Sequence, residues 1–368
     1  MKFLINNYLS NHANYKVTKM GIKFKDLFSP YKEDVNLKTL SSKKVGIDAY
    51  VMIYQMLARV RRAEEGGQEF SFQGNITSHL IGIFQRSLYL LENGLKVCAI
   101  MDGPPVPMKE KILQDRANRK QEAERLRQEA LDEEDLEAAN KYAQAAISVT
   151  EQILDDSKRL FTLLGIPVVT AIHDAEAQIA QMVTHNVLDS CVSQDYDSFA
   201  FGASHVIRNL TVSQRRMIGG KTITVLPEQY YLDKILSGLE ITQDQLILAG
   251  LLIGTDFNNG VKGVGPKTAL KLVKEYPTIA KVKPFIEEKY TADDYSWDYY
   301  FPVEPEDIMS YFKDPPYNDV PNLKFGKVDS KGITEFLVSE RGFNKENVEN
   351  RLKKVLKMQR QSTLSSFF

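Results

Sequence analysis

The sequence predicts an α/β fold with a central, mostly parallel sheet flanked by helices. Three short apolar runs, 45–50, 97–103 and 190–199, indicate buried strands that lead into aspartates. They alternate with helix-like segments of ten or more residues, which is typical of a parallel sheet covered on both faces. The 368 residues can bury a substantial core, so we expect one large domain with a smaller one appended.

Composition excludes several classes of protein. With 47 basic and 48 acidic residues the formal charge is −1, so bulk charge does not identify a nucleic-acid binder. Cys98 and Cys191 lie in apolar runs, where small buried side chains in a reducing, intracellular setting are expected rather than a disulfide. No apolar run approaches the roughly 18 residues that span a bilayer, and the first ten residues do not fit a secretory signal. The five histidines lack zinc-ligand spacing, and no Gly-x-Ser-x-Gly elbow is present.

Acidic residues recur along the chain, most of them where an apolar run stops. They are Asp48, Asp102, Asp174, Glu176, Asp195, Asp197 and Asp256. Ligands of such sheets bind outside the carboxyl ends of the strands, so we expect these side chains to converge there. Carboxylates without matching Cys or His favour Mg²⁺ or Mn²⁺, and a pair of divalent ions about 4 Å apart can hydrolyse a phosphodiester. Taken singly, an aspartate after a strand is also a common turn former or helix cap.

Two spacings within the acidic set carry further expectations. Asp195 and Asp197 are expected to point the same way from an extended segment, so that both reach one ion. Asp174 and Glu176 open a helical stretch after the strand-like run 166–170. Either Asp174 is the helix cap while Glu176 binds metal, or both residues bind it.

Residues 109–146 are rich in strong helix formers and contain neither Gly nor Pro, which predicts helices that stand away from the core. Lys109 and Arg116 are two helical turns apart on one face and follow Asp102 closely. We expect this pair to hold a phosphate against the metals. A solvated helix with incidental charge pairs is the alternative, and it is favoured for the distal part at 133–137.

A glycine-rich turn at Gly260, Gly263 and Gly265 separates an apolar helix from a new helix that opens with Pro266. Backbone N–H groups there can grip a phosphate without reading bases. Positive charge is added by Lys262, Lys267, Lys271 and Lys274. Pro266 interrupts the Gly-Lys pair that a P-loop requires, so nucleoside triphosphate binding is rejected. A purely structural turn between helices stays open.

These motifs together resemble a known family. From Met20 to its last residue the chain resembles archaeal-type flap endonucleases of the structure-specific 5′ nuclease superfamily. The matching stretches are KVGIDAY, MDGPP, HDAEAQIA, SQDYDSFAFG, LLIGTDFNNGVKGVGPKTA and QSTLSSFF. The resemblance implies a 5′ flap endonuclease with 5′-3′ exonuclease activity, using two Mg²⁺ or Mn²⁺ ions in Okazaki fragment maturation and DNA repair in an archaeal cell. A 5′-3′ exonuclease paralogue and a non-catalytic junction-DNA adaptor for the sliding clamp are the alternatives, although an adaptor has no need to gather mutually repelling charges.

The resemblance also implies roles for single residues. The seven acidic residues take the family's metal positions, and Lys109 and Arg116 match a basic pair that contacts the scissile phosphate. Tyr54 matches an aromatic residue on which the neighbouring base stacks, although by sequence alone it is an ordinary core tyrosine. Residues 109–146 correspond to an arch through which a free 5′ end threads. The positions that correspond to DNA binding are Gly21, near the active site, and Gly263, Gly265, Lys267 and Lys271 at a helix-turn-helix that holds duplex DNA, with a possible K⁺ ion there.

The last residues imply a protein partner. The positions that match a sliding-clamp box, Q-x-x-L-x-x-F-F, are Gln361, Leu364, Phe367 and Phe368. The clamp would be of the proliferating-cell-nuclear-antigen type, and such a short tail folds on docking. A frayed terminus is the alternative.

The chain departs from the family pattern at two places. Asp174 stands where the family has Glu, so its contact with metal is expected to be weakened or indirect. Residues 1–19 precede the Met-Gly with which the family begins, and we hypothesise that they are an extension or a mis-assigned start, with Gly21 as the functional N-terminus. We expect a nuclease core at 20–240, a helix-turn-helix and helical region at 241–358 and a clamp-binding tail at 359–368, in a monomer without membrane association.

Overall fold

The computed structural model of the chain describes residues 21–63, 71–211, 215–218, 221–292, 295–320 and 322–365. Within these ranges the strands are β1 Glu33–Asp34, β2 Lys44–Asp48, β3 Ser71–Phe72, β4 Asn75–Ile76, β5 Lys96–Met101, β6 Val168–Thr170, β7 Ser190–Val192, β8 His205–Arg208, β9 Arg215–Ile218, β10 Lys221–Thr224 and β11 Glu228–Tyr231. Seven of them form the main sheet in the order β1-β11-β8-β7-β2-β5-β6, and β3-β4 and β9-β10 form two small hairpins.

The main sheet is parallel at its centre. Strand β2 pairs in parallel with β5 and β7, β5 continues to β6, and β7 continues to β8. Strands β11 and β1 close one edge in antiparallel pairing. The chain therefore builds outward from β2 in both directions, which leaves a crevice between β2 and β7 at their carboxyl ends. The predicted fold class is confirmed.

The helices in the described part are α1 Lys25–Phe28, α2 Ala49–Ala63, α3 Ser78–Glu92, α4 Glu110–Asp132, α5 Leu136–Ala145, α6 Glu151–Leu163, α7 Ala175–Thr184, α8 Asp197–Ala200, α9 Leu232–Leu239, α10 Gln243–Ile253, α11 Pro266–Glu275, α12 Ile279–Tyr290, α13 Trp297–Tyr300, α14 Pro305–Lys313, α15 Ser330–Thr334 and α16 Lys345–Ser365. Short 3₁₀ turns lie at Ser29–Tyr31, Leu37–Leu40 and Pro107–Lys109, and a π-helical turn lies at Glu335–Glu340. In these ranges no single helix is both long and apolar enough to cross a membrane, whereas α9 and α10, bent by 82°, meet that criterion as a pair.

Both faces of the sheet are buried, which explains why its strands are continuous apolar runs. In β5, Cys98 and Ile100 join the core cluster on one face, while Val97 and Ala99 join the cluster on the other. The first cluster also contains apolar residues of α10, α11 and α14, so helices beyond residue 240 pack into the same core as the sheet. Both cysteines are buried and free, as expected.

The predicted 109–146 segment forms α4 and α5, which pack against each other through buried alanines such as Ala123 and Ala139. The described side chains of these two helices belong to neither core cluster. Alanine contacts let two helices approach closely while little large apolar surface is buried, which fits a composition that is poor in large apolar residues.

The C-terminal region is fastened to α6 by two arginine-carboxylate pairs. Arg341 makes a bidentate pair with Asp156 through Nε to Oδ2 at 2.8 Å and Nη2 to Oδ1 at 2.6 Å. Arg159 makes a second bidentate pair with Glu340, at 2.6 Å for each bond. The two pairs differ in environment, because Asp156 and Arg341 side chains are 8% and 15% exposed while those of Arg159 and Glu340 are 47% and 35% exposed.

Candidate active site

The predicted acidic residues come together at the carboxyl ends of the central strands. Asp48 ends β2, Asp102 follows β5, Asp195 follows β7, Asp197 begins α8, and Asp256 lies in the loop after α10. Asp174 and Glu176 sit at the start of α7. The electrostatic neighbours of Asp48 are Asp102 and Asp195, and those of Glu176 are Asp197, Asp195 and Asp48. Asp102 in turn faces Asp174 and Asp256, so the set forms one continuous acidic site.

Backbone amides hold the first two acids in place. The N–H of Val51, in the first turn of α2, donates to Asp48 Oδ1 at 2.9 Å. The N–H of Ala175 donates to Asp102 Oδ1 at 2.8 Å. Asp174 occupies the N-cap position of α7, yet its side chain makes no capping hydrogen bond there. Asp102 therefore takes the capping role that one sequence interpretation assigned to Asp174, and it ties the end of β5 to the start of α7.

The prediction that Asp195 and Asp197 project from one extended segment is wrong. Strand β7 ends at Val192, the chain turns, and α8 begins at Asp197. Ser193 makes the turn, because its hydroxyl accepts the N–H of Asp195 at 3.0 Å and donates to Glu176 Oε1 at 2.7 Å. The two aspartates still face the same acidic site, Asp195 from the turn and Asp197 from the helix start.

Burial gives several of these acids high proton affinity. Desolvation, followed by the Asp102 charge, raises the pKa of Asp48 well above its usual range, and desolvation with Asp197 does the same to the pKa of Glu176. Desolvation and the Asp256 carboxylate raise the pKa of Asp197 to about 8. Desolvation also raises the pKa of Asp102 to about 6, although its side chain is exposed on one side. A bound cation would offset this repulsion and favour the charged carboxylates.

The donor set suits hard divalent cations, because it consists of carboxylate oxygens. Among the described residues, no three His, Cys, Asp or Glu side chains are gathered tightly enough to hold one ion as they stand. Binding therefore requires these carboxylates to turn toward a shared ion. Desolvation, together with mutual repulsion, raises the pKa values of these carboxylates, and a bound ion would offset both.

Lys109 reaches the site from the 3₁₀ turn just before α4. Its Nζ lies 2.5 Å from Asp174 Oδ1, both side chains being largely buried, and 4.7 Å from the centre of the Phe257 ring. Arg116 lies on α4, and its side chain is outside the described residues. The structure thus places Lys109 beside the carboxylates.

Tyr54 lies half-buried on α2, packed against the core cluster that contains Val97. Tyr50, one helical turn earlier, faces the acidic site: burial and then the Asp102 charge raise its pKa, with Tyr54 and Asp48 as further neighbours. Sequence reasoning missed Tyr50. It lies two residues after Asp48 in KVGIDAY, and this closeness to a predicted metal ligand was visible in the sequence.

The predicted glycine-rich turn separates α10 from α11, with Pro266 as the first residue of the new helix. Gly260 and Gly263 have φ values of +70° and +86°. A Cβ at Gly260 would meet the carbonyl oxygen of Ile253 at 2.3 Å, whereas one at Gly263 or Gly265 would meet nothing within 4 Å. Gly260 is therefore structural, while the backbone at the other two glycines faces open space. Lys267 and Lys271 are exposed on α11 beside it.

The predicted functional residues near the two ends of the chain are only partly described by the structure. Gly21, with φ +90°, lies against Asp195, and the N–H of Ile22 donates to Asp197 Oδ1 at 2.6 Å. The predicted extension 1–19 lies outside the described residues, as do Phe367 and Phe368. Gln361 and Leu364 fall within the backbone of α16, and their side chains are not among those described.

Further groups at the site were not foreseen. Ser193 bridges Glu176 and Asp195. The hydroxyl group of Tyr311, on α14, donates a hydrogen bond to Asp174 Oδ2 at 2.7 Å. Ser193 lies two residues before Asp195, so its proximity was visible in the sequence. Tyr311 is 137 residues from Asp174, and no local pattern connects the two.

Comparison with known proteins agrees with this geometry. The XPG N-terminal domain model matches residues 20–123, and the XPG I-region model matches residues 165–256. The fold is thus that of XPG-type nucleases. Flap endonuclease 1 of Pyrococcus horikoshii is 40% identical over 95% of this chain and 98% of its own length, and that of Staphylothermus marinus is 39% identical over 93% and 96%. The solved flap endonuclease-1 of Methanococcus jannaschii is 33% identical, with a TM-score of 0.67 over 91% of this chain and 98% of that one. The chain belongs to the flap endonuclease 1 family.

Proposed function

We propose that this chain is a divalent-metal-dependent 5′ flap endonuclease that hydrolyses phosphodiesters where single-stranded DNA joins a duplex, in replication and repair. The observation that carries the proposal is the meeting of seven acidic residues and Lys109 at the carboxyl ends of the central strands. A structural protein gains no stability from burying mutually repelling carboxylates. The names of the relatives support the same activity.

The seven carboxylates would hold two Mg²⁺ ions, with Mn²⁺ as a substitute. When bound, such a pair supplies Lewis acidity for hydrolysis of a phosphodiester. Four of these side chains are already oriented by hydrogen bonds: Ser193 holds Glu176, and backbone N–H groups hold Asp48, Asp102 and Asp197. Asp174 is the least available ligand, since its two oxygens are engaged by Lys109 and Tyr311. Asp174 would therefore act on the cations through water or through Lys109.

The phosphate to be cut would lie between the carboxylates and the base of α4. Lys109 reaches this place and would stabilise the charge that develops on the phosphate, with Arg116 as its partner further along the helix. Tyr54, with Tyr50 beside it, would stack on the neighbouring base. Helices α4 and α5 would form the arch through which the free 5′ end passes.

The duplex would be held by its backbone, away from the cut. Gly263 and Gly265 present an uncovered backbone at the N-terminus of α11, and Lys267 and Lys271 add positive charge. We also propose that a K⁺ ion binds at this turn. The proposed protein is a monomer with a nuclease core at 20–240 and a helix-turn-helix region at 241–358. Its tail at 359–368 would bind the sliding clamp through Gln361, Leu364, Phe367 and Phe368.

Single-turnover cleavage of a 5′-labelled flap duplex, with Mg²⁺ and with EDTA, tests the activity. We expect metal-dependent release of the flap at its junction, and we expect Asp195→Ala to abolish cleavage while flap DNA still binds. Junction binding without cleavage in any divalent metal would support the adaptor alternative. Stepwise release of mononucleotides would support the exonuclease, and undiminished cleavage by Asp195→Ala would remove that residue from the mechanism.

A further inference from the structure

The Asp174 carboxylate is held at both oxygens by side chains from other elements. Lys109 Nζ lies 2.5 Å from Oδ1, and the Tyr311 hydroxyl donates to Oδ2 at 2.7 Å. Lys109 comes from the base of the arch and Tyr311 from α14 in the C-terminal helical region. One carboxylate at the start of α7 therefore connects three separate parts of the fold.

The ring of Tyr311 has little freedom to move. The residue is 7% exposed, and its ring packs edge-on against Phe257 at 5.4 Å and Phe201 at 5.9 Å between centroids. Phe257 also lies 4.7 Å from the Lys109 ammonium. Tyr311 and Lys109 thus share two contacts, Asp174 and Phe257, so the position of one side chain constrains the other.

We propose that Tyr311 is a positioning residue for the reaction, acting through Asp174 on Lys109. This inference rests on the proposed function. A carboxylate can rotate about its Cβ–Cγ bond, and the hydrogen bond from Tyr311 to Oδ2 fixes the rotation at which Oδ1 faces Lys109. Lys109 is then held beside the place of the scissile phosphate before substrate arrives, which is the condition under which a charge lowers a reaction barrier most.

The variant Tyr311→Phe removes the hydroxyl and keeps the ring that packs on Phe257. We expect its single-turnover cleavage rate to fall about tenfold, because a hydrogen bond to a charged group is lost. Flap-DNA affinity should stay within about twofold, since Tyr311 is buried behind Asp174. The matched control is Tyr300→Phe, which removes the hydroxyl of another buried tyrosine, whose acceptor is the Tyr290 carbonyl 2.5 Å away. This control should cleave at the wild-type rate.

A double-mutant cycle decides whether Tyr311 acts through Asp174. In an Asp174→Ala background the further change Tyr311→Phe should cost no additional cleavage rate. Equal losses in both backgrounds, or a wild-type rate in Tyr311→Phe alone, would overturn the inference.

The same cycle measured by urea unfolding of the metal-free protein provides a readout that needs no cleavage. Coupling between positions 311 and 174 should shift the unfolding midpoint of the double variant away from the sum of the two single shifts. If the wild type did not cut flaps but this coupling were present, the proposed function would be refuted, whereas the hydrogen bond between Tyr311 and Asp174 would be supported. Additive midpoints in a wild type that does cut would instead refute the role of Tyr311.

Discussion

Gly21 lies directly against the side chain of Asp195. A Cβ on residue 21 would come within 2.9 Å of the Asp195 Cβ and 3.2 Å of its Oδ1. Residue 21 also has φ +90°, a backbone conformation that strongly favours glycine. The next residue, Ile22, donates its N–H to Asp197. The segment 21–22 therefore contacts both Asp195 and Asp197, and its backbone forms one wall of the acidic site.

We expect Gly21→Ala to reduce cleavage by at least about tenfold, because the added methyl must displace Asp195. The matched control is Gly202→Ala, where φ is +84° and a Cβ would meet nothing within 4 Å. Both variants bear a strained backbone, worth about 1–2 kcal/mol of stability. The single-turnover cleavage rate separates them, since displacement of Asp195 occurs in the first variant alone. Equal rates in the two variants would show that the contact with Asp195 has no bearing on catalysis.

Lys109→Ala should slow cleavage about a hundredfold, because it removes the ammonium group from the place of the scissile phosphate. Flap-DNA affinity should change far less, since many other contacts hold the duplex. Lys141→Ala, an exposed position on α5, serves as the control and should keep the wild-type rate. Rates come from single-turnover cleavage and affinities from fluorescence anisotropy in Ca²⁺. A large loss of affinity at a normal rate would assign Lys109 to binding instead.

The sequence was sufficient for the sheet and for the acids because both depend on local patterns. Buried parallel strands are apolar runs, and their carboxyl ends share one edge, so Asp48 and Asp102 were predicted to meet. The turn at Ser193 was not predicted, since SCVSQDYDSF resembles a strand throughout and the hydrogen bonds of one serine end it early.

Contacts between distant segments were harder to foresee. The bond from Tyr311 to Asp174 depends on how α14 packs against Phe201 and Phe257, which no local periodicity records. The capping of α7 by Asp102 has the same origin, because the acceptor comes from the end of β5, far from α7 in the sequence. Packing of whole elements determines such contacts, and a single sequence specifies that packing through many weak interactions at once.

The metal-free protein should lose stability as the pH rises from about 4 to about 8. Asp197 has a pKa of about 8 in the folded chain, against about 4 when unfolded. Its contribution is therefore fully present below the unfolded pKa and is lost as pH rises through the folded pKa. Thermal unfolding in EDTA measures the effect, and Asp197→Asn should show a shallower pH dependence. Mg²⁺ should raise the unfolding temperature more at pH 8 than at pH 6. If the stability of Asp197→Asn fell with pH as steeply as that of the wild type, Asp197 would not be the group responsible.

The two arginine-carboxylate pairs that fasten the C-terminal region to α6 offer a test of buried against exposed ion pairs on one interface. Arg341→Met leaves the Asp156 carboxylate buried beside the Gln152 amide, which still donates to it, and should destabilise the protein by about 3–5 kcal/mol. Arg159→Met breaks a pair of similar geometry that solvent screens, so it should cost about 1 kcal/mol or less. Urea unfolding at neutral pH gives both values. Asp156→Asn in the Arg341→Met background should recover part of the loss, because it removes the uncompensated charge. Equal costs for the two arginine variants would mean that water reaches Asp156 in solution and that the difference in burial has no energetic consequence.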